Sequence, residues 1–193
     1  MTFDRENLIQ QVREQMTEHR FIHTLGVAQA AEALAKQYGA DPKEADLAGI
    51  LHDYCKFWER AKMAEIIQKE ESIPSELLRY DKELWHAPVG AYIVERDLGV
   101  TNSMVLDAIR YHTSGRKNMT LLDKILWLAD YIEPGRQFPG VEEIRELARR
   151  NLNEALAKAL GNTLMFLVKQ NKRIYPLTVE AYNGILAELQ ETR

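Results

Sequence analysis

Ala48-Gly49-Ile50-Leu51-His52-Asp53 ends an apolar run on an imidazole and a carboxylate. Upstream, Asp41-Pro42 is an N-cap followed by proline at the first helical position, so a helix runs from there to about Tyr54. On that helix His52 shares a face with Ala45, Ala48 and Gly49. Two such polar groups on an inward face are costly to bury unless something compensates them. The dipeptide itself arises by chance in about one chain in five of this composition. Its surroundings therefore carry the reading.

Helical signals extend in both directions and strand signals are nearly absent. Residues 4–17 and 20–38 predict two helices, the second stopped by Gly39. After Tyr54, helices are predicted over 59–70, briefly after Ser75, from Pro88 to Gly99, and from a Thr101 or Asn102 cap to about His112. Thr120 to Asp123 resembles a capping box and opens a helix to Ile132, which Glu133-Pro134-Gly135 breaks. Helices over 141–150, 153–172 and 178–190 complete an all-α chain, a single-domain helical bundle spanning 1–193. The last fifty residues hold neither His nor Asp and read as a cover rather than as a site.

Four more potential ligands surround His52-Asp53 in sequence: His23, His86, His112 and Asp130. His23 shares its stripe with Gly26, Val27, Ala30, Ala31 and Leu34, and His112 shares one with Val105, Ala108 and Ile109. Asp130 sits above Leu122 and Leu126. Small residues beside His23 and His52 let two helices approach closely and bring both rings to one point. Each residue alone reads more simply as a hydrogen-bonded core group, and His86 as a residue of its helix N-terminus. Six inward polar groups, each satisfied separately, are far harder to arrange than one shared charge. His19 is read as solvated.

Four imidazoles and two carboxylates without thiolate suit iron, manganese, nickel, cobalt or zinc rather than calcium or magnesium alone. Six ligands exceed the needs of one ion. Two ions with a bridging group are one arrangement that uses them, with Asp53 as the natural bridge, and it suits phosphoester displacement. Cationic side chains that could meet phosphate lie at Arg20, Lys56 and Arg136. Arg110, Arg116 and Lys117 flank His112-Thr113-Ser114-Gly115, a hydroxyl-and-glycine turn whose amides could hold phosphate oxygens.

The net charge of −4 argues against binding a nucleic acid polymer. The single cysteine, Cys55, allows no internal disulfide and points to the reducing cytoplasm. Met1 to Glu6 lacks the apolar core of a signal peptide. The apolar runs Ile125–Ala129 and Leu164–Val168 fall far short of the roughly 20 residues that span a bilayer, so no membrane partner is expected.

His23, His52-Asp53 and Asp130, in that order, resemble the H…HD…D signature of the HD-domain metal-dependent phosphohydrolases. Arg20 to Val27, His52-Asp53-Tyr54-Cys55-Lys56, His112-Thr113-Ser114-Gly115 and Ala129 to Arg136 are similar to the YqeK-type branch over roughly residues 18 to 150. The resemblance implies a bundle of the HD-domain type, with a metal-binding core at about 18–135 and a helical cover at about 141–193. It implies symmetrical hydrolysis of diadenosine tetraphosphate to two ADP by metal-activated water, with iron as the expected metal. It also implies that His23, His52, Asp53 and Asp130 hold one ion and Asp53, His86 and His112 a second. Asp53 and Lys56 would be catalytic. Arg20, Lys56, Thr113, Ser114, Gly115 and Arg136 would contact a dinucleoside polyphosphate. Cys55 and Ser114 stand where that branch more often has alanine and threonine, and the position of Cys55 makes oxidation sensitivity an expectation.

Two rival readings fit the same residues. The same metal site could serve another nucleotidase or a signalling-nucleotide phosphodiesterase of the superfamily. A non-catalytic nucleotide-sensing module is the other, although nothing physical would then keep all six ligands. A homodimer is allowed by the sequence and not demanded by it.

Overall fold

Capping chemistry places the start of most helices. A computed structural model describes residues 4–191. The N-terminal reading over Met1–Phe3 and the last two residues of the expected 1–193 unit lie outside the described residues. Asp4 caps α1 (Arg5–Arg13) and Thr17 caps α2 (Glu18–Tyr38), which ends at Gly39. Asp41 caps α3 (Pro42–Leu51), with Pro42 in its first turn. α4 (Arg60–Lys69) leads into two 3-10 turns at Ser75–Arg79 and Lys82–Leu84. α5 (His86–Leu98) is followed by α6 (Ser103–Tyr111), capped by Asn102. Thr120 and Asp123 cap each other's backbone reciprocally at the start of α7 (Leu121–Ile132). α8 (Val141–Ala148), α9 (Leu152–Lys169) and α10 (Pro176–Glu191) complete the chain. No strand forms among the described residues.

Several boundaries differ from the sequence expectation by two to four residues, and three have a local reason. α1 stops at Arg13, since Thr17 serves as the cap of α2. α5 begins at His86 rather than Pro88, because a proline within the first turn removes only an N–H that has no intrahelical partner. α3 ends at Leu51. Tight turns follow it, with Tyr54 N–H donating to Leu51 O and Lys56 N–H to Asp53 O. Adjacent residues of a regular helix point about 100° apart, yet here His52 and Asp53 are both buried, at 0% and 2% exposure.

α7 is the central element and packs against α2, α3, α6, α8 and α9. Ile125, Leu126, Leu128 and Ala129 on it are completely buried. One apolar cluster runs from Leu8 to Ile185, so α9 and α10 share the core that carries α2 and α3. Among the described residues no helix is long and apolar enough to cross a membrane.

α2 and α3 meet closely, as the small residues beside His52 suggested. A Cβ on Gly49 would lie 2.5 Å from Ala28 Cα, and backbone cannot yield as a flexible side chain can. Gly49→Ala is therefore expected to cost about 1–3 kcal/mol through overpacking, measured by urea unfolding. A variant as stable as the parent chain would show that the contact is not tight.

Candidate metal centre and cleft

The chain delivers the six expected ligands from five places. His23 comes from the second turn of α2, and His52 and Asp53 from the turn after α3. His86 is the first residue of α5, His112 follows α6, and Asp130 lies in the last turn of α7. The four histidines are all 7% exposed or less. The Asp130 side chain is 24% exposed and faces a cleft. His19 is exposed and plays no part in the cluster.

Asp53 is the hub, and its two oxygens divide the imidazoles. Oδ1 lies 3.0 Å from His86 Nε2 and 3.8 Å from His112 Nε2. Oδ2 lies 3.3 Å from His52 Nε2 and 3.9 Å from His23 Nε2. His23 Nε2 is in turn 3.1 Å from Asp130 Oδ1, and the Nε2 atoms of His86 and His112 are 3.1 Å apart. Donor atoms of His23, His52 and Asp130 fall within 4.8 Å of one another, as do those of His52, Asp53 and His112. Both groups have the compactness that a divalent ion requires.

Hydrogen bonds on the far side of the rings set their tautomers. His52 Nδ1–H donates to Gly49 O at 2.7 Å, and His112 Nδ1–H to Ile109 O at 2.8 Å. Each makes Nε2 the inward nitrogen, which offers its lone pair to a cation once any proton there is displaced. His23 Nε2 and His52 Nε2 are buried and make no aligned hydrogen bond, despite the nearby carboxylates. A buried lone pair without a donor is costly, and a cation satisfies several at once. The donor set therefore fits a metal.

The electrostatics point the same way. Burial works to raise Asp53, but the field of His52 and contacts from His112, His52 and His86 hold it well below the usual carboxylate range. Asp130 is likewise held low against burial, by His23, His52 and Arg136. Burial drives His86 down to about 4, partly opposed by Asp53. For His52, burial lowers the affinity for a proton, and the Asp53 carboxylate outweighs it and raises the ring above 6.5. The metal-free cluster thus draws positive charge, as protons where no cation is present. Because His52 stays protonated above its ordinary value, a metal must displace that proton. Metal uptake by stripped protein is expected to strengthen as pH rises through and beyond 6.5. Titration with cobalt(II) at several pH values checks this, and affinity independent of pH would contradict it.

A cleft of about 340 Å³ opens over His112 and Asp130. Lys56, Thr113, Arg136, Trp127, Tyr131 and Phe138 line it. Trp127 and Tyr131 stack with centroids 5.7 Å apart, and Phe138 meets Tyr131 edge-on at 5.1 Å. Asp81, Glu83 and Leu84 add to its lining, and Thr163, Leu167, Lys172, Arg173, Tyr175 and Thr178 form the wall from the last part of the chain. That corrects the expectation that the last fifty residues are a cover and no part of a site. Lack of His and Asp there carried no information about aromatic or cationic lining.

Each of the three leading cations is met by a carboxylate. Arg20 Nη1 lies 3.0 Å from Asp53 Oδ2, Lys56 Nζ 2.8 Å from Glu83 Oε2, and Arg136 Nη2 2.7 Å from Asp130 Oδ1. Thr113 lines the cleft, but the rest of its turn is committed elsewhere. Gly115 N–H donates to Tyr111 O at 2.7 Å, and the buried Ser114 hydroxyl to Gly115 O. Arg116 bridges Asp107 and Asp123, Arg110 pairs with Asp107, and Lys117 is exposed. Cys55 is completely buried and burial pushes its thiol well up, so it lacks the accessible thiolate that oxidation sensitivity needs.

Sequence reasoning passed over Glu133, which it took only as a helix stop. It is 3% exposed and lies 3.1 Å from His23 Nδ1. The one available signal was a carboxylate seated between Asp130 and a Pro-Gly turn.

Comparison with known proteins matches residues 20–135 to the HD domain. The chain is 51% identical over 184 residues to the Bacillus subtilis protein named "Bis(5'-nucleosyl)-tetraphosphatase, symmetrical", covering 95% of this chain and 98% of that one. A Staphylococcus aureus protein of the same name is 39% identical over 173 residues, 89% of each chain. A Clostridium acetobutylicum crystal structure, described as a "predicted HD superfamily hydrolase involved in NAD metabolism", superposes with a TM-score of 0.92. It shares 35% identity and covers 97% of this chain and 100% of its own. With the signature residues gathered at one point, the chain belongs to the HD-domain family of metal-dependent phosphohydrolases.

Proposed function

We propose that this protein hydrolyses dinucleoside tetraphosphates symmetrically, taking diadenosine tetraphosphate to two ADP. The observation that carries the reading is the division of four imidazoles between the two oxygens of Asp53, beside a cleft that His112 and Asp130 share with aromatic rings and carboxylate-paired cations. The names of the Bacillus subtilis and Staphylococcus aureus relatives support it. His23, His52, Asp53 and Asp130 would hold one divalent ion, and Asp53, His86 and His112 a second. Iron is the first choice, with manganese, nickel, cobalt and zinc as alternatives. Such a pair, when bound, lowers the pKa of water and offsets charge developing on the phosphates.

The chain's own groups do the rest. Asp53 spans the two halves because a carboxylate has two oxygens. Lys56 and Arg136 bind phosphate oxygens by exchanging their present carboxylate partners for the substrate's charge, and Arg20 adds to the field around Asp53. Thr113 offers a hydroxyl at the cleft wall, with Ser114 and Gly115 shaping the turn behind it. Trp127, Tyr131 and Phe138 give a nucleoside an apolar surface. Residues 1–193 act as one unit, the core at about 18–135 holding the ions and the segment at about 141–193 closing the cleft. The reducing cytoplasm suits the unpaired Cys55, and the partner is a small nucleotide rather than a nucleic acid polymer or a membrane. Chromatography of products from purified protein tests the reading. Two ADP per substrate is expected, whereas AMP plus ATP, or no turnover with metal supplied, contradicts it.

A further inference from the structure

His52 and His112 obtain their orienting hydrogen bonds locally, each from the carbonyl three residues back at a helix end. His23 cannot, since it lies within the 21-residue α2, where the preceding carbonyls serve the helix itself. Its Nδ1 finds Glu133 instead, 110 residues away and 3.1 Å distant. An ionised carboxylate can only accept, so this contact puts the ring proton on Nδ1 and the lone pair on Nε2, facing Asp130 and Asp53.

Both oxygens of Glu133 are engaged. Oε2 accepts the N–H of Gly135 at 2.6 Å, which fixes the carboxylate within the turn that ends α7. Space for it comes from α2. Gly26, one turn after His23, has no side chain, and a Cβ there would stand 2.6 Å from Glu133 Oε2. Arg145 donates to the Glu133 carbonyl at 2.7 Å and ties the same turn to α8. A buried carboxylate, an emptied helix position and a pinned turn thus converge on one imidazole nitrogen.

We propose that Glu133 is a positioning residue for the metal centre, holding His23 as the Nδ1–H tautomer through a carboxylate contact that Gly26 makes room for. The proposal rests on the metal-centre reading given above. Outer partners of ligating histidines orient the ring and raise its basicity, and their loss typically weakens metal binding about 10–100-fold. The effect falls on the half of the centre that His23 serves. The half formed by His86 and His112, where His112 is oriented by Ile109 O, makes no contact with Glu133 and keeps its affinity.

Glu133→Gln is the informative variant. His23 Nδ1–H and Gly135 N–H are accepted by different oxygens of Glu133, and a glutamine replaces one of those oxygens with an NH2 that faces one of the two donors. Gly26→Ala reaches the same contact from the other helix by displacing the carboxylate. Metal-stripped full-length protein is titrated with cobalt(II), and ring-nitrogen NMR shifts report the His23 tautomer without metal. Each variant is expected to lose about 10–100-fold in affinity at one site and keep the other. The double variant should lose no more than the singles, as for two changes to one contact. In the unsubstituted chain, His23 should be the Nδ1–H form. Unchanged affinity in a folded Glu133→Gln protein, equal weakening of both sites, or an Nε2–H form of His23 in the unsubstituted chain each overturns the proposal. The last readout stands even where a variant fails to fold. Parent protein that takes up no cobalt overturns the metal reading itself.

Discussion

Asp53→Ala is expected to slow hydrolysis of diadenosine tetraphosphate by about a thousandfold or more, close to 4 kcal/mol of transition-state stabilisation. Asp53 is the carboxylate that meets both halves, one oxygen to each. Its Oδ1 faces His86 and His112 and its Oδ2 faces His52 and His23, so its removal opens both sites together. It also leaves Arg20, now 3.0 Å from Oδ2, without its partner. Asp53→Asn keeps the shape and removes the charge, so a comparable loss in both variants assigns the effect to the carboxylate. The checks are kcat/KM and the metal content of the same preparations. Normal turnover with a full complement of metal in either variant would contradict the bridging role.

Stripping the metal should destabilise the protein as a whole. Four buried imidazoles and two carboxylates are held within a few ångströms, two of the imidazole nitrogens without a donor. An ion present at about a thousand times its dissociation constant contributes about 4 kcal/mol. In a chain of this size that corresponds to a fall in Tm of about 10 °C. The helices themselves should survive, because the apolar cluster from Leu8 to Ile185 does not depend on the ion. Scanning calorimetry with and without chelator reads the shift, and Asp53→Ala should show almost none. An identical Tm for stripped and loaded parent protein would mean that the cluster holds nothing.

Capping residues made the helical order legible. Asp41-Pro42, Gly39, Asn102 and the Thr120–Asp123 pair act locally, and local chemistry is what a sequence displays directly. His23, His52, Asp53, His86, His112 and Asp130 were legible because polar groups stood out on apolar faces, and the fold brings all six together. Contacts made across the chain were not. Glu133 reaches His23 over 110 residues, and the Glu83 and Asp81 carboxylates that hold Lys56 and Lys172 carry no sequence mark. The cleft wall from Thr163 to Thr178 was missed for a related reason: aromatic, hydroxyl and basic residues on a late helical hairpin look like any solvated surface until the fold sets them opposite His112.

Anomalous diffraction from crystals of the full chain, purified without added metal and recorded at the iron edge and those of its alternatives, examines the centre itself. Two peaks are expected on either side of Asp53, one within bonding reach of His23, His52 and Asp130 and the other of His86 and His112. A map with no peak among these side chains, or with its peaks elsewhere on the molecule, would refute the metal centre and the hydrolysis built upon it.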